Sequence, residues 1–319
     1  FYETRFGKGE EIAKFTHTYL FGANAIKTTT FYWYNYHKAA DPLVTVNDAM
    51  TTSEIYKGEW TDNDAAWNSN NAIISKTFYS TQFGKGEEIA NLTHTYSSGT
   101  NTIKTTTFYS YNGKSANDSL VASDDAMTTS EIYKGEWNDV GFAWSNNAIM
   151  SRTFYSTQFG KGEEIAKLTH TYLFGTNTIK TTTFYIYNDM LADNPSVTSD
   201  DAMTTSEIYK GELNSIDPTK IMSRTFYATQ FGKGEEIADY SENMTSDGLS
   251  VKTVSIFWYG SNRASSADVN DAMTMSETRK LTITGVLQSK TYYSTLFGKG
   301  DEIADYSENM TSDGLSVKT

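Results

Sequence analysis

The sequence predicts an all-β protein in which tandem β-hairpin repeats coil into a solenoid or tubular spiral sheet. Three observations predict it. The segment Phe-Gly-Lys-Gly-Glu-Glu-Ile-Ala begins at Phe6, Phe83, Phe159 and Phe231, and returns at Phe297 with Asp301 in place of the first glutamate. The stretches between these copies also repeat, and they alternate with the two-residue period of a strand. The composition is that of strands: 22 Tyr, 17 Phe and only 3 Pro, with threonine crowding the segments between loops. A fixed period of this size is the signature of an array rather than of one core around one site.

Taken in order, the repeats span 1–77, 78–153, 154–225, 226–291 and a partial copy at 292–319, one continuous array. The second copy shows the elements most clearly. Leu92, His94 and Tyr96 form one row, with Thr93 and Thr95 opposite. Ile103, Thr105, Thr107, Tyr109 and Tyr111 share a face, and Lys104, Thr106, Phe108 and Ser110 share the other. Met127, Thr129, Glu131 and Tyr133 form a third run, and Ile149 to Phe159 a fourth that leads into the next copy. Each repeat therefore carries about four strands. Tyr96 and Ile103 flank a connection containing Gly99 and Asn101. Its length is the same at 19–26, 172–179 and 244–251, which reads as a hairpin. Glu87 to Ala90 has room for one helical turn after Gly86. Length variation concentrates after Glu59, Glu136 and Glu212, so indels are expected at one edge of the array. The last copy stops at Thr319, where the earlier copy continues mid-strand, and Phe1-Tyr2 begins inside a strand. The expectation is a fragment of a longer polymer.

Composition excludes several classes. With 26 basic and 39 acidic side chains the net charge is −13, which repels phosphate backbones, so no nucleic-acid partner is expected. No apolar run is long enough to span a bilayer as a helix. Cysteine is absent, so there are no disulfides or thiolate metal sites.

The Gly84-Lys85-Gly86 loop, repeated at Gly160 and Gly162, invites a phosphate reading. It lacks the P-loop spacing, and Glu87 and Glu88 follow at once. It reads as a structural turn whose glycines take positive φ. His17, His94 and His170 recur at one strand position with no second ligand at fixed spacing, so stacked strand residues are expected rather than a metal ladder. Asp124-Asp125 and Asp200-Asp201 lack the alternation of a calcium loop and read as loop caps. Trp60 with Trp67, and Trp137 with Trp144, lie seven apart in the variable loop. They can fold back over the sheet, meet a partner or stack on a glycan, and packing or subunit contact is the first expectation. Tyr32, Tyr109 and Tyr185, with Tyr79, Tyr155 and Tyr227, occupy equivalent positions and are expected to stack between neighbouring copies. No catalytic constellation, cofactor motif or metal site is legible.

The stretch from Phe78-Tyr79 to Tyr96, and Thr107 to Tyr111-Asn112-Gly113, resembles the YD/RHS repeat superfamily of long bacterial surface proteins: a Tyr-rich strand, a Gly loop with acidic residues, a strand ending in Tyr and a Gly turn. Tyr111-Asn112 and Tyr187-Asn188 stand where the family has Tyr-Asp, and the Asp-based self-cleaving core of its toxin-carrying members is missing. The resemblance implies hairpins coiled into a spiral sheet. Together these features predict a structural extracellular or cell-surface element, a filament, sheath or fibre whose partner is itself. A multivalent glycan-binding adhesin and a shell around a cargo are the alternatives. A propeller of four-stranded blades fits less well with uneven repeat lengths.

Overall fold

The computed structural model describes residues 1–19, 24–61, 73–137, 149–295, 299 and 302–318. Its contacts divide the chain into two compact units, 1–164 with 172–177, and 165–171 with 178–319. The first holds β1 (Tyr2–Glu3), β2 (Ile12–Ala13), β3 (Phe15–Tyr19), β4 (Ile26–Tyr34), β5 (His37–Lys38) and β6 (Met50–Lys57). It continues with β7 (Ile73–Ser80), β8 (Ile89–Tyr96), β9 (Ile103–Tyr111), β10 (Lys114–Ser115), β11 (Met127–Lys134) and β12 (Ile149–Ser156). The second holds β13 (Ile165–Tyr172, all but its last residue), β14 (Ile179–Tyr187), β15 (Met190–Leu191), β16 (Met203–Lys210) and β17 (Ile221–Ala228). After these come β18 (Ile237–Met244), β19 (Val251–Tyr259), β20 (Met273–Lys280), β21 (Leu287–Ser294) and β22 (Ile303–Asn309).

Within each unit the strands form an antiparallel meander, each long strand pairing with the next in sequence. The second unit runs β16–β17, β17–β18, β18–β19, β19–β20, β20–β21 and β21–β22 without a crossover. The first repeats the pattern through β6–β7, β7–β8, β8–β9, β9–β11 and β11–β12. The ladders are open, and neither unit closes into a barrel. The expected strands are therefore present, four long ones per full repeat. The expected helical turn is not: Ile89 and Ala90 already belong to β8, where they pair with Ser80 and Tyr79. Asn91 is the extra residue of a bulge opposite Phe78 and Tyr79, and it lets β8 leave the loop directly as a strand. The sheet-forming ladder wins here because a single helical turn would leave these amides without cross-strand partners.

Alternation divides the faces, and the buried face is not the one occupied by the predicted tyrosine rows. Phe78, Leu92 and Phe108 sit opposite one another across β7, β8 and β9. They pack with Tyr133 and Ile149 in one cluster, in which Leu92 and Phe108 are 5% and 6% exposed. Tyr109, one residue on from Phe108, points to the other face and is half-buried. A second cluster lies at the end of the strands where loops converge: Ile89, Tyr111, Ala116 and Val121, with Phe83 and Met127 against it. Both clusters recur. Phe15, Phe31 and Tyr56 form the first in copy one, while Ile12, Tyr34, Ala39 and Val44 form the second. At one end of the strands, in copies one, two and four, a loop thus folds over and adds a small core. That explains how short hairpins, marginal alone, hold together.

Candidate functional site

Three recurring contacts hold the array: a glutamate clamp in the Gly-Lys-Gly motif that joins one copy to the copy before it, and two sets that tie strands together within a copy. Gly84 and Gly86 adopt φ of +86° and +84°, and Gly160 and Gly162 adopt +87° and +82°. These left-handed angles let the loop double back tightly where a side chain would be strained. The turn presents the second glutamate of the motif inward. Glu88 accepts from Gly86 N at 2.9 Å with one oxygen and from Met50 N at 2.7 Å with the other. It therefore ties the loop of the second copy to the first residue of β6 in the copy before. Glu164 does the same with Gly162 N and Met127 N, at 2.9 and 2.7 Å. Glu236 takes Met203 N at 2.9 Å, and Glu302 takes Met273 N at 2.9 Å. The loop binds backbone amides with its own carboxylate, which is the position an incoming anion would need.

Glu236→Ala is expected to cost about 1.5–3 kcal/mol, because it removes a charge-assisted acceptor and strands the Met203 amide. Hydrogen exchange checks this directly. The Met203 amide loses its protection first, and an unchanged rate there would show that the clamp carries no weight.

A second joint lies mid-sheet. Glu54 in β6 faces Lys76 in β7 across the ladder, with Lys76 Nζ 2.7 Å from its carboxylate. Tyr56, two residues on and so on the same face, donates its hydroxyl to Glu54 at 3.0 Å. The set returns as Glu131, Arg152 and Tyr133, and as Glu207, Arg224 and Tyr209. In the fourth copy the tyrosine is replaced by Arg279, and Glu277 takes Arg279 and Lys290 together. Glu54, Glu207 and Glu277 are buried. Burial alone would push Glu277 up. The hydrogen bond and charge of Arg279, joined by those of Lys290, hold its carboxyl below the usual glutamate range. Burial, followed by the adjacent carboxylate, pushes the hydroxyls of Tyr56, Tyr133 and Tyr209 well above the phenol range, so they stay donors.

A third joint uses threonine. Thr29, Thr106 and Thr182, each 0% exposed, donate to the carbonyls of Gly58, Gly135 and Gly211. Each also accepts from the amide two residues further on, at Trp60, Trp137 and Leu213. The fourth copy has Val254 at this position, 1% exposed, and its connection after β20 is the short one at Leu281 to Val286. The clamp is present where there is a Gly-Glu-Trp or Gly-Glu-Leu turn to hold.

The predicted site residues divide accordingly. Trp60 and Trp137 fold back. Each indole donates to a backbone carbonyl, Lys57 O at 2.7 Å and Lys134 O at 2.8 Å. Each packs toward a buried tyrosine, with ring centroids 6.4 Å from Tyr56 and 5.9 Å from Tyr133. Trp67 and Trp144 lie outside the described residues. His94 is buried, with Nε2 3.0 Å from Trp137 O, and His17 meets Trp60 O at the same distance. Among the described residues no group of three or more metal-ligating side chains converges. Tyr32, Tyr79, Tyr109, Tyr155, Tyr185 and Tyr227 each share a hydroxyl hydrogen bond with a serine or threonine on a neighbouring strand, at 3.0 to 3.2 Å. Burial raises the pKa of the Tyr79 hydroxyl; the hydrogen bond with Ser53 works against this, and the phenols of Tyr32 and Tyr109 add to it. Asp125 and Asp201 cap their loops, each accepting from a turn asparagine and from a backbone amide.

A shallow polar concavity of about 430 Å³ lies at the loop of the fourth copy, lined by Tyr259, Asn262, Asp271 and Thr274 among others. Its side chains belong to the turn itself. Among the described residues, no helix is long and apolar enough to cross a membrane. No protein-family model matches the chain, and no curated protein matches it.

Proposed function

We propose that the chain is a structural element of the extracellular or cell-surface space, a filament, sheath or fibre of the YD/RHS-like kind. Its hairpins continue as a solenoid or spiral sheet, and its principal partner is itself. The observation that carries this reading is the glutamate clamp. Glu88, Glu164, Glu236 and Glu302 each reach from their own copy to the strand before it. The most repeated motif of the chain is thus spent on joining copies. The hydroxyl bonds of Tyr79, Tyr155 and Tyr227 to Ser53, Ser130 and Ser206 of the copy before add a second link, and stability that grows by nearest-neighbour links is what a long array requires. On this reading the chain does no chemistry and holds no cofactor.

The experiment is a length series. Chains carrying one, two and three additional copies of 78–153 are compared by small-angle scattering and electron microscopy. The longest dimension is expected to grow by a constant increment per added copy. A particle whose outer dimension stays fixed while an interior fills would overturn this reading in favour of a shell.

A further inference from the structure

In the second unit the two ends of the strands differ in chemistry. One end carries the hairpin tips 245–250 and 311–316 and the connections 211–220 and 281–286, and it is studded with exposed apolar side chains. Ile216, Leu249, Leu281, Ile283 and Val286 are 38%, 71%, 54%, 47% and 44% exposed. These residues adjoin rather than scatter. A Cβ on Gly248 would lie 2.7 Å from Pro218 O, so the tip bearing Leu249 rests on the connection bearing Ile216. A Cβ on Gly314 would lie 2.9 Å from Val286 Cγ1, so the next tip rests on the next connection. Around them stand charges of both signs, Lys210, Lys252 and Lys280 with Glu212 and Asp247, all exposed. Among the described residues the opposite end is acidic on balance: Asp193, Asp200, Glu235 and Asp268 are exposed, with Lys167 bridged to Asp193 and Lys233, Arg263 and Lys299 nearby.

We propose that this tip end is a docking surface for a second copy of the same chain, tip end against tip end. The proposal rests on the reading of the chain as self-associating, and it names the surface. A contact between identical patches must be complementary to itself. An apolar patch with a rim of mixed sign meets that condition, because each lysine can face an acid of the other copy. The opposite end, where acids outnumber cations, repels a second copy of itself more than the tip end does. Contiguous exposed apolar surface of this kind marks an interaction site. The first unit carries the same chemistry at its tip 172–177, where Leu173 and Phe174 are 43% and 73% exposed.

The chain has no native cysteine, so single cysteines report proximity cleanly. Sedimentation equilibrium on the full chain is expected to show a reversible dimer. Leu249→Asp with Ile283→Asp is expected to weaken it by about tenfold or more, with the circular dichroism and melting of the monomer retained, since both sites are exposed. Under mild oxidation Leu249→Cys is expected to cross-link, and Ser196→Cys at the acidic end to remain monomeric. A chain that stays monomeric at every concentration would overturn the proposal. So would a dimer indifferent to the two aspartates, or one that cross-links through Ser196→Cys. These outcomes are separable from the length series, because a monomer whose longest dimension still grows per copy removes the tip contact and leaves the array.

Discussion

Arg224→Met is expected to destabilise the third copy by about 3 kcal/mol, with the array around it still folded. Glu207 is 5% exposed and faces Arg224 across β16 and β17. Its carboxylate holds the guanidinium and the Tyr209 hydroxyl, which donates at 2.5 Å. Removing the cation leaves a buried negative charge with one neutral donor, and stranded buried charge is among the most costly defects in a protein. The guanidinium carbon stands 6.0 Å from the Phe226 ring centroid; methionine keeps a stem of similar length there without the charge, so the loss is mainly electrostatic. Arg224 is itself about one-third exposed, which places the effect at the lower end of the range for buried pairs. Chemical denaturation with site-resolved hydrogen exchange in β16 and β17 measures it. Glu207→Gln combined with Arg224→Met is expected to recover about half of the loss, because the buried position is then neutral, while the more exposed Glu242 still loses its bridge to Arg224. Equal losses in the single and double variants would show that the pair contributes packing alone.

Much of the fold was legible because the strand period is local information. Thr102 to Tyr111 reads as a strand from alternation alone, and β9 spans Ile103–Tyr111. The Gly-Lys-Gly segment reads as a turn because glycine is the residue that takes positive φ without strain. Asn112 and Gly113, with φ of +50° and +74°, form a two-residue turn into the short β10, which the reading of the longer alternating runs did not include. What was not legible depends on which face is covered. Phe108 and Tyr109 are equally good strand residues, and nothing in a two-residue period says which of them faces the core. The tyrosine row is half-buried because its hydroxyls find threonine and serine partners across the ladder. The phenylalanine row carries no polar atom and is covered. The joints were hidden for a related reason. Glu88 and Met50 are 38 residues apart, and a hydrogen bond from side chain to backbone leaves no compositional trace at its backbone end. One signal was available. Ser-Glu-Ile-Tyr recurs at 53–56, 130–133 and 206–209, each followed in the next strand by a basic residue at Lys76, Arg152 and Arg224. A buried acid with a matched cation is the economical reading of such co-occurrence.

The division between faces also fixes where the largest packing effect lies. Phe184→Ala is expected to cost about 3–5 kcal/mol, whereas Tyr185→Phe, one residue along the same strand, costs about 1 kcal/mol. Phe184 is 2% exposed, and its ring meets Tyr209 edge-on with centroids 5.6 Å apart. It sits opposite Glu207 in the ladder, so truncation opens a cavity beside the buried carboxylate as well as removing apolar contact. Tyr185 is half-buried on the other face, and phenylalanine removes only the hydrogen bond it shares with Thr169 at 3.0 Å. Because each strand of the meander pairs with its immediate neighbours, the damage from Phe184→Ala is expected to stay near β14, β16 and β17. Amides of β19 to β21 should keep their protection until stronger denaturant is reached. Hydrogen exchange read strand by strand distinguishes this from an all-or-none domain, in which protection would fall everywhere by the same factor. If Tyr185→Phe proves as costly as Phe184→Ala, the tyrosine face carries the array and the division of labour between the two faces is the reverse of the one derived from burial.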